Sequence, residues 1–124
     1  MRSAILLLTL LGALTAANAA EDVSKLNLDS TRDVLHVYDK YLVPEDRRHI
    51  ENFIGAMEIG LLWANVGLKH QGQALLYCQP DKLVITNSQM IDMIRRAIKD
   101  DAKLGDYPVG MVVLVTLQKT FPCK

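Results

Sequence analysis

Two thiols are the most reactive groups in this chain: Cys78, in "YCQP", and Cys123, in the terminal "QKTFPCK". Two cysteines with His36, His49 and His70 show no zinc-type spacing, so no metal site is expected. In an oxidising compartment an even cysteine count reads as a disulfide, and two cysteines admit one intramolecular pairing. An intermolecular bridge and two free thiols are the alternatives. Ser24, Ser30 and Ser88 lack the glycine context of a nucleophile elbow. No glycine-rich loop is spaced to cradle a phosphate. His49 falls in a polar stretch and reads as solvated, and His36 reads as partly buried. Glu58 is set in an apolar run and reads as a polar-face or interface glutamate. Trp63 and Met57 raise a ligand cavity as an alternative, but at helical spacing such residues are core. No catalytic residue, metal or cofactor is assigned, and the chain is not read as an enzyme.

The compartment is read from the first twenty residues, "MRSAILLLTLLGALTAANAA". Arg2 supplies an early positive charge, Ala4 to Leu14 are apolar, and Ala17-Asn18-Ala19 is a small-residue cleavage site. That three-part pattern predicts a secretory signal peptide over 1–19 and export of the mature chain. A retained anchor is the alternative, but the apolar stretch falls short of the roughly 20 residues a bilayer span asks for. The mature chain, 20–124, has the length of one domain. Without Arg2 it carries 13 basic and 14 acidic side chains. That balance gives no basic face for nucleic acid, and no second apolar stretch is long enough to span a membrane.

The elements that must position the cysteines follow from periodicity. A first helix is predicted from Asp29 or Ser30, both good N-caps. Val34, Val37, Tyr38 and Tyr41 lie on one of its faces. A second helix starts at Pro44, with Glu45 and Asp46 in the first turn, where the helix dipole favours them. Ile50, Phe53, Ile54, Met57, Leu61 and Ala64 form one stripe. A second stripe, Ile59, Leu62, Trp63 and Val66, makes the end of this helix apolar nearly all round. Such a helix is central in the fold or buried in a subunit contact. Gly55 and Gly60 suggest close approach of a neighbouring backbone, and Gly67 is the expected C-cap. Residues 68–85 form a long connection, in which "ALLYC" is a short strand or an apolar anchor.

"TNSQ" is a capping box that starts a third helix, Thr86 to Gln89. Met90, Met93, Ile94, Ala97 and Ile98 face inward. Asp92 with Arg95 and Arg96 reads as a solvated face, and Gly105 closes the segment. "VGMVVLVTLQKTF" is valine-rich and suits a strand by propensity. Yet thirteen residues suit a helix better, and Asp106, Pro108 and Pro122 frame it as one. The expected fold is a small all-α bundle of about four helices with one disulfide, its last helix largely buried.

The run "YCQPDKLVITNSQMIDMIRRAIKDDAKLGDYPVGMVVLVTLQKTFPC" resembles the Rap/Tai family of periplasmic immunity proteins tied to type VI secretion. The similarity spans roughly Phe53 to Cys123. "YCQP" and the terminal "FPC" are its most specific pieces, and "FIGAMEIGL" is similar to the family's aromatic-Ile helix. The resemblance implies an all-helical domain, commonly a dimer, that binds and blocks a peptidoglycan-cutting effector. By position, Cys78 and Cys123 correspond to a bridge of the family. The chain departs from the family in lacking a further cysteine pair that joins the first two helices. Ile50 stands at one of those positions, and the small residue after the aromatic-Ile step is displaced or is Ala56.

The expected function is therefore that of an exported inhibitor that occludes a cell-wall amidase. A small periplasmic stress chaperone is the alternative, and a small enzyme or ligand binder using the Trp63 region is a third reading. Leu68, Lys69, His70, Gln71 and Gln73, with Lys103 and Asp106 on a neighbouring rim, are the expected contact residues. Ile59, Leu62, Trp63 and Val66 are assigned to a dimer contact or the core.

Overall fold

The computed structural model describes residues 26–40 and 44–124. The signal-peptide expectation, Ser24 and Tyr41 lie outside these residues. Within them the chain is all-α: α1 (Thr31–Lys40), α2 (Pro44–His70), α3 (Asn87–Asp100), a 3-10 helix (Ala102–Asp106) and α4 (Val109–Thr120), with no strand. The apolar side of each helix meets the others at one core, formed by Val34, Ile50, Ile54, Met90, Ile94 and Leu117, with Tyr77 from the long connection.

Ser30 caps α1, its hydroxyl accepting from the Asp33 amide at 3.3 Å. The start of α1 is fixed by Thr31, which donates to the Tyr107 carbonyl through both its amide (3.0 Å) and its hydroxyl (2.8 Å). The capping box of α3 forms as the sequence predicts. The Gln89 amide donates to the Thr86 hydroxyl (3.3 Å), and the Thr86 amide donates to the Gln89 side-chain oxygen (2.8 Å). Its buried face includes Ile91 beside the expected Met90, Ile94 and Ala97.

Other boundaries differ from the sequence reading. α2 runs through Gly67 and ends one turn later, because Gly72 and not Gly67 takes the left-handed conformation, φ 65°. Gly72 donates to the Lys69 carbonyl (3.1 Å) and Gln73 to that of Leu68 (2.9 Å). That pair of bonds is a Schellman turn, which satisfies the last carbonyls of the helix. α3 stops at Asp100, well before Gly105. Asp101 closes it by donating to the Ala97 carbonyl and opens the 3-10 helix by accepting from the Lys103 amide. Gly105 is instead the residue that lets the Arg32 guanidinium lie close, since a Cβ there would sit 2.7 Å from it. Asp106 does not cap α4. Pro108 occupies that position without a side-chain bond, and Asp106 pairs with Arg32 at 3.2 Å. Gly55 admits the Asn87 side chain rather than a backbone, and Gly60 has nothing near it.

α4 is a helix, and it buries Val109, Val112, Val113, Thr116 and Leu117. Of its remaining apolar side chains Leu114 and Val115 are half-buried and Met111 is exposed. The Cys78–Cys123 disulfide forms and closes 45 residues of sequence separation. Beside it, the Cys78 amide donates to the Phe121 carbonyl at 2.8 Å. "ALLYC" is therefore an anchor: Tyr77 is buried and its neighbours are tied to both α2 and the chain end.

Candidate protein-docking site

The second half of α2 holds the feature that the core does not explain. From Ala56 to Leu68 the only polar residues are Glu58 and Asn65. Both turn away from solvent, Asn65 buried and Glu58 half-buried. The opposite side carries Ile59, Leu62, Trp63 and Val66 at i, i+3, i+4 and i+7, which places them on one face. All four are exposed, Ile59 by 52% and Trp63 by 67%. They are not core, and the dimer-or-core assignment resolves to an uncovered face. Ala64, expected with the buried stripe, is exposed as well and extends the uncharged surface. Small residues flank the ridge: a side chain at Gly60 or Gly67 would meet open space.

Asn65 holds the other side of this helix in place. Its side chain donates to the Tyr77 carbonyl (2.8 Å) and accepts from the Leu76 amide (2.7 Å). One side chain thus satisfies two backbone groups of the connection, as a buried polar residue must. Gln118 of α4 donates to the Leu76 carbonyl at 3.2 Å. Residues 76–78 are strung between α2, α4 and the disulfide. Asn65 was not singled out by the sequence reading. The signal for it is a residue of modest helix propensity placed inside an otherwise apolar helix.

Burial raises the Glu58 carboxyl above its ordinary range. Burial, and then the nearby Glu58 charge, also raise the Tyr77 phenol, whose oxygen has no hydrogen-bond partner among the described residues. Glu58 accordingly belongs to the supported side of α2, and its pKa reflects desolvation rather than a proton-transfer partner.

The expected contact residues divide into two places. Leu68, Lys69 and His70 form the last turn of α2, and Gln71 and Gln73 belong to the Schellman turn. Residues 71–74 are exposed, so the tip of α2 is a protruding corner held by its own backbone bonds. Lys103 and Asp106 lie on the 3-10 helix, which packs on α1 and α3, and Asp106 is held by Arg32. The structure does not bring this second group to the tip of α2.

The remaining polar groups serve the fold. Arg95 pairs with Asp39 of α1 and lies 5.5 Å from the Tyr38 ring centre. It is a tie between helices rather than part of a solvated face. The Tyr38 hydroxyl donates to Glu51 at 2.7 Å. Burial first, and that bond second, raise the Tyr38 phenol. His36 is exposed, against the partial burial expected, and His49 and His70 are exposed too. Among the described residues no group of histidines, cysteines and carboxylates is placed to hold a metal. No described helix is long and apolar enough to cross a membrane. Trp63 stands out from the surface while Met57 packs near Gly110, so the two do not share a cavity. Comparison with known protein families, with curated proteins and with solved structures found no match.

Proposed function

We propose that this chain is an exported helical inhibitor that binds a peptidoglycan-cutting enzyme and blocks it, as its resemblance to Rap/Tai immunity proteins implies. The observation that supports this best is the uncharged, exposed face of α2, which runs into an ordered, protruding turn. A contiguous apolar face on a small protein marks a contact surface. Trp63 at its centre has the size and rigidity of an interface anchor. In this reading the face supplies affinity, either to the enzyme or to a second copy of the chain. The turn at 69–74 supplies the shape that fills the enzyme's groove.

The test uses a purified peptidoglycan amidase, the class of enzyme this reading makes the target. Equimolar chain should suppress its digestion of purified peptidoglycan, and Trp63→Asp with Leu62→Asp should abolish suppression while circular dichroism stays unchanged. Undiminished digestion in the presence of the native chain refutes the inhibitor reading. The same apolar face favours a stress chaperone as second reading. That reading requires protection of unrelated unfolded proteins, which an inhibitor with one target does not give.

A further inference from the structure

A second surface lies away from the exposed face of α2, along the seam between α3 and α4. Met93, Arg96, Ala97 and Asp100 recur at helical spacing on α3, and Thr116, Lys119 and Thr120 do so on α4. Together they line a depression of about 270 Å³. A neighbouring depression of about 290 Å³ shares Met93 and Arg96 and is lined further by Leu83, Val84, Ile85 and Phe121 and by the polar Gln89 and Asp92. The two share Arg96 at their junction; one end, beside the disulfide, sets Leu83, Val84, Ile85 and Phe121 against Gln89 and Asp92, and the other runs toward Asp100.

Three features of this groove have no structural use. Thr116 is buried, and its hydroxyl has no hydrogen-bond partner among the described residues. A helical threonine normally relieves this by bonding back to the carbonyl four residues earlier. Thr120, one turn on, does so at 2.8 Å, and Thr116 does not. A buried hydroxyl left unpaired is costly, so a group that completes it is stabilised. Second, Arg96 and Lys119 make no ion pair with another described residue, although Arg95 and Arg32 in the same fold do. Third, Val84 is 82% exposed at the end beside the disulfide.

We propose that this groove binds a carboxylate borne on a short apolar chain. The carboxylate sits at Arg96 and Lys119 and accepts from the Thr116 hydroxyl. The chain lies toward Met93, Ile85 and Phe121. Arg96 suits this role because a guanidinium offers a planar fork that matches a carboxylate. Asp92 and Asp100, which line the two ends, disfavour a second negative charge, so a monoanion is preferred over a dianion. The C-terminal leucine of a peptide and a medium-chain fatty acid share this chemistry.

The experiment is a heteronuclear NMR titration of the purified chain with acetyl-Ala-Ala-Leu and, separately, with decanoate. Two neutral controls accompany them, the C-terminal amide of the same peptide and decanol. The expected result is saturable shifts confined to residues 93–100 and 116–121 with at least one acid, the tighter of the two naming the source. The neutral partner should bind at least about tenfold more weakly, the worth of one charge-assisted hydrogen bond. Arg96→Gln, at an exposed position with no ion pair to another described residue, should weaken the acid by about the same factor without moving the melting temperature. Thr116→Val keeps the side-chain shape and should weaken it by several-fold. The proposal is overturned if neither acid shifts these amides at millimolar concentration, or if acid and neutral partner bind alike. It is also overturned if Arg96→Gln binds as the native chain does.

Discussion

Two helical stretches of this chain are almost equally apolar, and they end in opposite situations. α4, "VGMVVLVTLQKT", is packed against α1, α2 and α3 and buries five residues. The second half of α2, "AMEIGLLWANVGL", is packed on one side and open on the other. The difference lies in what surrounds each helix. α4 is reached by three other helices, and the disulfide at Cys123 fastens the chain just beyond its end. α2 is 27 residues long, and in its last turns Ile59, Leu62, Trp63 and Val66 stay exposed. There the short connection 75–79, which includes the buried Tyr77, covers only the side that carries Asn65. Apolarity all round a helix therefore predicts burial against something, and the fold decides whether that something lies in the same chain.

The largest test of this contrast is the fastening of α4. A cross-link over 45 residues stabilises by about 4 kcal/mol in the chain-entropy treatment. Cys123→Ser should then lower the melting temperature by about 15 °C or more. Thermal denaturation followed by circular dichroism reads this, and an unchanged midpoint would show that the packing of α4 does not depend on the clasp.

The second test sets one residue from each helix side by side. Leu117 is fully buried, so Leu117→Ala should cost about 3 kcal/mol through lost burial and the cavity left behind. Trp63→Ala removes a larger side chain, yet in the monomer it should change stability by less than about 0.5 kcal/mol. Denaturant titrations at low protein concentration separate the two. A comparable loss at Trp63 would mean that the α2 face is covered within the chain.

The fold was largely legible in the sequence, because helix starts and stops are local. The Thr86–Gln89 box, Pro44, Ser30 and Pro122 act within a turn of themselves, and each behaves as read. What escaped depends on partners distant in sequence. Asp106 has the composition of an α4 cap but meets Arg32, 74 residues away, and is taken up there. Gly67 and Gly72 are both plausible helix stops, and nothing local says which will adopt positive φ. The contact residues were legible only in part. The tip of α2 follows from the long connection, but its separation from Lys103 and Asp106 is a matter of tertiary placement. The exposure of Ile59, Leu62, Trp63 and Val66 was one of two outcomes that periodicity left open.

Asn65 tests how the covered side of α2 is held. Asn65→Ala removes a donor and an acceptor and leaves the Leu76 amide and the Tyr77 carbonyl unpaired. The expected cost is about 2 kcal/mol. Hydrogen exchange should show the loss concentrated at residues 75–78, with the exposed face of α2 unaffected. A uniform rise in exchange over the whole chain would instead make Asn65 a global core residue.

The smallest effect separates the two sides of α2 by charge. Burial raises the Glu58 carboxyl, so the folded chain holds that proton more tightly than the unfolded chain does. The sign of the linkage follows. Near neutral pH, above the folded pKa, the ionised carboxylate is less favourable in the fold than in the unfolded chain. As pH falls through the folded pKa the penalty disappears, and below the unfolded value no difference is left to gain. Glu58→Gln keeps the shape and removes the charge. It should raise the melting temperature slightly at pH 7 and leave it unchanged at pH 4, where the native carboxyl is already largely protonated. Tyr77, whose phenol is raised in part by the Glu58 charge, should titrate at lower pH in the variant. A substitution on the uncovered face, such as Ile59→Gln, should show no such pH dependence, since no carboxyl changes its environment there. Equal pH profiles for the two variants would mean that Glu58 is as well solvated as the open face. The covered side of α2 would then be looser than its Asn65 bonds imply.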